Sequence, residues 1–111
     1  MASHCFVVFT NPVAGREEEF NDWYSNTHLR DVVAVPGFVS ARRFKVADPT
    51  STLPGQYLTL YQMETDDPQQ ALSDLNSRVG TPAMMISEAL DGARASATLF
   101  TAITDYVHTQ R

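Results

Sequence analysis

Two short stretches of the sequence carry large apolar side chains on both faces of an extended chain. They are residues 4–9 (HCFVVF) and 56–64 (QYLTLYQME), which are dense in β-branched and aromatic residues and predict strands. Because side chains alternate across a strand, neither stretch can turn one face to water without exposing apolar surface. The chain is therefore expected to form a sheet that is covered on both sides.

The patterns around these two strands predict further strands and helices. In chain order they are a helix over 15–31, a strand over 38–47, a helix with Asp67 as N-cap and Pro68 at its first position, a short helix over 81–90, and a strand over 95–107. The main elements thus follow the order β-α-β-β-α-β, which is typical of the ferredoxin-like fold of the α+β class. We expect a four-stranded antiparallel sheet with both main helices on one face.

The face of the sheet without helices predicts a homodimer. A bare apolar patch of several hundred Å² favours burial by roughly 10 kcal/mol before association costs, at ~25 cal/mol per Å². We therefore expect a second copy of the chain to cover this face. A monomer with an unusually apolar sheet is the alternative.

Length and charge exclude several classes of protein. With 111 residues, the chain predicts a single domain over 1–111. Eight Lys and Arg against 13 Asp and Glu give a net charge of -5. This balance argues against nucleic acid or an anionic membrane as a partner, since both need a basic surface. Neither a membrane span nor a signal peptide is visible in the sequence, so a cytoplasmic location is expected.

The cysteine and histidine content predicts neither a disulfide nor a metal site. Cys5 is alone, which rules out an intramolecular disulfide and fits a reducing compartment. His4, His28 and His108 are far apart in the sequence, and no Cys or His pair has the spacing of metal ligands. No Gly-rich phosphate-binding loop stands out. We therefore expect no metal and no organic cofactor.

The first predicted helix carries the best candidate for a catalytic pair. Tyr24 and His28 are four residues apart, so their side chains point to neighbouring positions on the helix surface. An imidazole transfers protons near neutrality, and a phenol can donate a hydrogen bond to a developing oxyanion. We predict that both are catalytic and reach a cavity between this helix and the sheet. The alternative is that Tyr24 belongs to the core and His28 to the surface.

Seven further side chains are predicted to contact a substrate in that cavity. Arg42 and Arg43 must point to opposite faces of their strand, so one of them can reach a pocket. Two methionines in the predicted short helix would give an adaptable apolar lining. The predicted substrate-binding residues are Trp23, Asn21, Thr27, Tyr61, Met84, Met85 and Arg43.

A series of paired features marks residues 11–44. In order, they are Glu19-Phe20, Trp23-Tyr24, His28, Pro36-Gly37-Phe38 and Arg43-Phe44. This pattern resembles the EthD-like proteins of the dimeric α+β barrel superfamily. The resemblance implies a homodimer whose two sheets face each other, with one pocket per subunit between sheet and helices. It also implies that Trp23, Tyr24 and His28 line that pocket.

The superfamily that the chain resembles includes cofactor-free monooxygenases, polyketide cyclases, muconolactone isomerases and lyases. Its haem-binding branches place a ligand histidine in the second half of the chain, and residues 68–90 contain none, so haem is disfavoured. We expect a cofactor-independent isomerase, cyclase or lyase that acts on a small hydrophobic or aromatic oxygenated metabolite. A cofactor-free monooxygenase and a non-catalytic binding or accessory protein are the alternatives.

Overall fold

Four strands form one antiparallel sheet in the computed structural model of the chain, which describes residues 2–110. They are β1 (Ser3–Thr10), β2 (Phe38–Lys45), β3 (Tyr57–Glu64) and β4 (Ser96–Thr101), in the order β2-β3-β1-β4. Each of the two connections that contain a main helix crosses one neighbouring strand, as the ferredoxin-like fold requires. The predicted fold class is confirmed.

Two main helices make these crossover connections. The first helix runs through three consecutive segments, Glu17–Trp23, Tyr24–His28 and Leu29–Val33, and the middle segment is a π-helix. The second helix, Pro68–Arg78, begins as predicted. The Asp67 carboxylate caps it by accepting a hydrogen bond from the Gln70 N–H at 3.0 Å. No helix within residues 2–110 is long and apolar enough to cross a membrane.

Both helices pack on the same face of the sheet. This face presents alternate residues of β3, all of them buried: Tyr57, Thr59, Tyr61 and Met63. The buried residues that the two helices place against the sheet are Phe20, Tyr24, Val32, Ala71 and Leu75. Full burial of a large apolar side chain is worth about 1.5–3 kcal/mol, so this interface holds most of the stabilising contacts of the fold.

The opposite face of the sheet has no helix against it. Its apolar side chains are part-buried or exposed, and they are Cys5, Val7, Phe9, Phe44, Leu58, Leu60 and Phe100. We call this set the open face. Beyond β4, residues 102–110 are exposed, including the apolar side chains of Ile103, Tyr106 and Val107.

The predicted short helix over 81–90 is wrong. These residues form turns and an extended stretch, in which the Met84 carbonyl accepts from the Gly80 N–H at 2.9 Å. Further along, the Ala89 carbonyl accepts from the Val13 N–H at 2.7 Å. Because these carbonyls bond outside any helical pattern, the segment lies along the start of the first crossover rather than coiling.

Several predicted boundaries also move. The last strand ends at Thr101 rather than at residue 107, because its neighbour β1 begins at Ser3 and pairs His4 with Thr101. Once β1 has ended, nothing in the sheet remains for the last strand to pair with. The first helix continues to Val33, two residues beyond its predicted end, and β2 ends at Lys45, two residues early.

Candidate functional site

A buried pair of tyrosines lies between the first helix and the sheet. Tyr24 from the helix and Tyr61 from β3 are each 2% exposed, and their hydroxyl oxygens are 3.0 Å apart. Burial raises the pKa of both phenols, so both are protonated at neutral pH. The pair therefore presents two neutral hydroxyl groups, one of which donates to the other.

The π-helical segment sets the position of Tyr24 relative to His28. Its wider turn is seen at Leu29, whose N–H donates to the Tyr24 carbonyl five residues earlier. Across this turn the rings of Tyr24 and His28 meet edge to face, with centroids 4.8 Å apart. Such π-helical turns are rare and occur frequently at functional sites.

Trp23 covers the other side of His28. The two rings are stacked, with centroids 4.7 Å apart and an angle of 25° between their planes. Burial lowers the pKa of His28 from 6.5 to about 4, and the opposing effect of Asp31 is smaller. His28 is therefore neutral at pH 7. Its Nδ1 is buried and has no hydrogen-bond partner within residues 2–110, so this nitrogen can carry a free lone pair.

Arg43 of β2 reaches beneath the first helix. Its guanidinium carbon lies 4.5 Å from the ring centroid of Tyr24 and 5.1 Å from that of Tyr57, which are cation–π distances. Its two terminal nitrogens donate to Ser25 Oγ at 2.8 Å and to Asn21 Oδ1 at 2.9 Å. The structure thus brings Arg43 into the same cluster as the tyrosine pair.

A chain of hydrogen bonds joins this cluster to the surface. The Asn21 amide donates to the Tyr57 hydroxyl at 3.0 Å, and Tyr57 donates in turn to the Glu17 carboxylate. Lys45 Nζ lies 3.5 Å from the same carboxylate. The hydrogen bond from Tyr57, followed by the charge of Lys45, holds the pKa of Glu17 below its usual range. This chain fixes Asn21 and, through it, the position of Arg43.

Four buried polar side-chain atoms in the described part of the chain have no hydrogen-bond partner. They are Thr10 Oγ1, His28 Nδ1, Arg43 Nε and Thr59 Oγ1. All four residues contribute to the layer between the first helix and the sheet. An unpaired buried polar group costs about 1–3 kcal/mol, so a cluster of them in one layer requires an explanation.

The other predicted substrate-binding residues occupy varied positions. Thr27 is exposed on the first helix, and Met84 is fully buried in the core. The Met85 side chain is 61% exposed, but its carbonyl accepts a hydrogen bond from the Trp23 indole at 3.2 Å. The remaining predicted residues lie in the cluster, and they are Asn21, Trp23, Tyr61 and Arg43.

Sequence analysis did not single out Thr59 or Glu17. The alternation of β3 places Thr59 on the same face as Tyr61, and that signal is present in the sequence. The pairing of Thr59 with Arg43 across β2 and β3 depends on strand register, which the sequence does not reveal. Glu17 reads as an ordinary acidic residue of a helix start.

Two prominent cavities lie at the surface of the described residues. One, of about 690 Å³, lies between β1, β4 and residues 102–106, and the other, of about 490 Å³, lies at the start of the first helix. Neither is lined by Tyr24 or His28. No group of three His, Cys, Asp or Glu side chains in the described residues could hold a metal ion.

Comparison with solved structures identifies the fold. A proposed monooxygenase from Shewanella loihica PV-4 matches with a TM-score of 0.63 and 17% identity, over 94% of this chain and 97% of its own. The heme-degrader MhuD from Mycobacterium tuberculosis, solved with two hemes in its active site, matches with a TM-score of 0.62 and 17% identity, over 94% and 99%. The chain shares the ferredoxin-like α+β fold of these proteins.

A third solved structure is also similar to this chain. A proposed antibiotic biosynthesis monooxygenase from Nitrosomonas europaea matches with a TM-score of 0.58 and 12% identity, over 92% of this chain and 91% of its own. No family model matches the chain, and no curated protein matches it significantly. At these identities the likeness establishes the fold alone, and it is the fold that the sequence resemblance implies.

Proposed function

We propose that this chain is a cofactor-independent oxygenase that acts on a small, hydrophobic, oxygen-bearing aromatic molecule. The observation that carries the proposal is the buried polar layer formed by Tyr24, His28, Arg43 and Thr59, in which three atoms lack partners. The fold shared with a heme-degrader and two proposed monooxygenases supports oxidation. This support favours a monooxygenase over the isomerase, cyclase or lyase expected from the sequence.

Neutral His28 supplies the base for this chemistry. A positioned general base contributes ~10²- to 10⁴-fold in rate, and here it takes a proton from an acidic carbon of the substrate. The resulting carbanion is electron-rich and can itself reduce O₂. For a ring CH₂ group the balance is CH₂ + O₂ → C=O + H₂O. One oxygen atom enters the product, the other leaves as water, and the substrate supplies all four electrons.

A substrate must displace part of the present packing to reach this layer. Trp23 lies over His28 and is tied to the Met85 carbonyl, which belongs to a segment without helix or strand. We infer that the layer opens when Trp23 separates from Met85. The hydrogen bond lost in this step contributes about 0.5–1.5 kcal/mol.

Oxygen uptake tests the proposed reaction. With anthrone as probe, whose ring CH₂ is acidic, the purified chain should consume one O₂ per product and incorporate one labelled oxygen atom from ¹⁸O₂. The rate should rise with pH through about 4, the pKa of His28, because only the neutral imidazole accepts a proton.

Variants at two histidines sharpen this test. His28→Gln should lower kcat by about 10²-fold or more, because it removes the base. His108→Gln, the same substitution in the exposed C-terminal segment, should match the parent. Equal rates for the parent and His28→Gln, or no oxygen uptake with anthrone and with naphthalenediols, would contradict the proposal.

A binding or accessory protein for a hydrophobic metabolite is the second candidate. The observation that favours it is the hydrogen bond between the Tyr24 and Tyr61 hydroxyls, which engages both groups with each other inside the packed layer. A binding protein would bind anthrone without consuming oxygen. In that case His28→Gln would change the affinity only modestly, whereas an oxygenase loses rate far more than affinity.

We also propose that the chain works as a homodimer. The open face carries apolar side chains from all four strands, and the exposed apolar residues of the C-terminal segment follow directly from β4. Contiguous apolar surface of this kind marks an interaction site. A second copy is the partner that the superfamily resemblance implies.

A further inference from the structure

No carboxylate neutralises the charge of Arg43 in the part of the chain that the structure describes. Its acceptors, Ser25 Oγ and Asn21 Oδ1, are neutral groups, and none of the ion pairs within residues 2–110 includes it. The Glu17 carboxylate is engaged by Tyr57 instead. Removing a charge from water without a counter-ion is costly, so part-buried guanidinium groups are ordinarily paired. The position of Arg43 therefore calls for an anion from outside the chain.

Two donors are available to such an anion. Arg43 Nε and Thr59 Oγ1 are both buried without a hydrogen bond of normal length, and the Tyr24 and Tyr61 hydroxyls are polar neighbours of the Thr59 hydroxyl. The two residues lie directly opposite each other on β2 and β3, where the Cβ atoms of cross-strand neighbours are about 4.5–5.5 Å apart. Thr59 is fully buried, so its hydroxyl faces the layer rather than solvent. The buried Nε–H and the buried hydroxyl therefore belong to neighbouring side chains of one cross-strand pair.

The surroundings favour an aromatic ligand with a single anionic oxygen. The rings of Phe20, Tyr24 and Tyr57 lie 4.5–5.3 Å from the guanidinium carbon, so the surroundings of this group are aromatic. A carboxylate prefers a fork of two parallel donors from one guanidinium. Here each terminal nitrogen already donates one hydrogen bond to a neutral acceptor. The buried donors left without a partner are Arg43 Nε–H and the Thr59 hydroxyl, which together suit one oxygen atom.

The other titratable groups around Arg43 leave its charge uncancelled. His28 is neutral, and the phenols of Tyr24 and Tyr61 are protonated. Glu17 and Lys45 lie at the surface end of the hydrogen-bond chain and carry opposite charges. An anion bound at Arg43 would therefore meet a net positive potential.

We propose that Arg43 and Thr59 form an oxyanion subsite that binds the ionised hydroxyl of a phenol- or enol-type substrate. On binding, the O–H bond breaks, its electron pair stays on the oxygen and the proton passes to solvent. This inference rests on the proposed function and deepens it, because the ionised substrate is the electron-rich form that reduces O₂.

Binding of 4-nitrophenol to the full chain tests the subsite, since its ionised form alone is yellow. The bound ligand should ionise at least about one pH unit below the free ligand, which means that the phenolate binds about tenfold more tightly than the phenol. Two matched ligands should each bind about tenfold more weakly than the phenolate. They are 4-nitroanisole, which cannot ionise, and 4-nitrobenzoate, which carries a two-oxygen anion.

Matched threonine variants separate a ligand role from a structural role. Thr59→Val keeps the side-chain shape and removes the hydroxyl, so phenolate affinity should fall by about tenfold. Because the lost hydroxyl has no partner, Tm should rise, by about 3 °C or more. Thr10→Val removes the other unpartnered threonine hydroxyl, at the end of β1 opposite Tyr57, and should raise Tm without changing phenolate affinity. Arg43→Gln should abolish the shift in ligand ionisation.

Three results would overturn the subsite. They are no binding of 4-nitrophenol, ionisation of the bound ligand at the pH of the free ligand, and unchanged phenolate affinity in Thr59→Val. Oxygen uptake is measured separately, so the two proposals fail in different ways. Loss of the subsite with anthrone oxidation intact leaves the proposed function standing. A phenolate site without oxygen uptake indicates a binding protein with this same subsite.

Discussion

At the scale of single residues, His28 couples protonation to folding. Burial lowers its pKa from 6.5 to about 4, and unfolding restores the ordinary value. Between pH 6.5 and about 4, His28 is protonated in the unfolded chain but stays neutral in the folded chain. Unfolding therefore becomes more favourable as the pH falls through this range. The free energy of unfolding is unaffected by His28 above about pH 6.5, and it is lower by at most about 3 kcal/mol near pH 4.

Replacing His28 with glutamine should remove the fall in the free energy of unfolding that His28 causes at low pH. Urea unfolding at pH 7 and at pH 4.5 should show a smaller fall in the free energy of unfolding for His28→Gln than for the parent. His108→Gln is the control, because His108 is exposed, and its fall should equal that of the parent. If the His28→Gln and parent curves ran parallel, His28 would not be the buried neutral group described above.

The sequence could predict part of the candidate site at this scale. Tyr24 and His28 are predicted from their spacing along one helix, which is a local property. Arg43 is predicted from the alternation of side chains along one strand, which is also local. Alternation along β3 places Thr59 on the face of Tyr61, but a threonine in a strand is ordinary and was not singled out. Its importance comes from the cross-strand pairing with Arg43 and from the absence of a partner for its hydroxyl.

At the scale of elements, the sequence predicts a helix or strand boundary correctly when residues close to that boundary determine it. The second helix begins where Asp67 and Pro68 indicate, because a cap is encoded within one turn. The end of the last strand is set by β1, which is distant in sequence. The π-helical segment depends on backbone hydrogen bonds with shifted partners, such as the one from Leu29 to Tyr24, for which the side chains give no signal.

Gly55 controls how β3 enters the sheet and thereby where its tyrosines lie. A Cβ at this position would lie 2.7 Å from the Thr10 carbonyl oxygen, which is part of the backbone and cannot move aside freely. Gly55→Ala should therefore lower the free energy of unfolding by about 1–3 kcal/mol, as overpacking does. Thermal and urea unfolding measure the loss.

Gly92→Ala is the matched control for that substitution. A Cβ at Gly92 would meet no atom within 4 Å, so its stability should equal that of the parent or slightly exceed it. Equal stability of Gly55→Ala and the parent would mean that the start of β3 tolerates a displacement that the packing described here does not allow.

At the scale of the whole molecule, the two faces of the sheet differ in how far their side chains are buried. The helix face is buried within one chain, whereas the open face keeps its apolar side chains accessible. A second copy that covers the open face predicts twice the chain mass of 12.3 kDa by light scattering at micromolar concentration. A species of one chain mass under those conditions would contradict the homodimer.

A charge on the open face should weaken the association. Leu60→Lys would bury an unpaired ammonium between two sheets, which costs several kcal/mol, so the apparent mass should fall toward one chain. Val79→Lys makes the same exchange at an exposed position next to the second helix and should leave the mass unchanged. If both variants kept the mass of the parent, the interface would lie elsewhere.

The fluorescence of Trp23 can report on the candidate site without an added label. It is the single tryptophan of the chain, and its indole is stacked on His28. A protonated imidazole in ring contact quenches indole fluorescence, and a neutral one does so far less. Emission should therefore stay bright at neutral pH and dim only as His28 takes up its proton near pH 4. A ligand that parts Trp23 from Met85 would also change the emission, so occupancy could be followed optically in the unmodified protein.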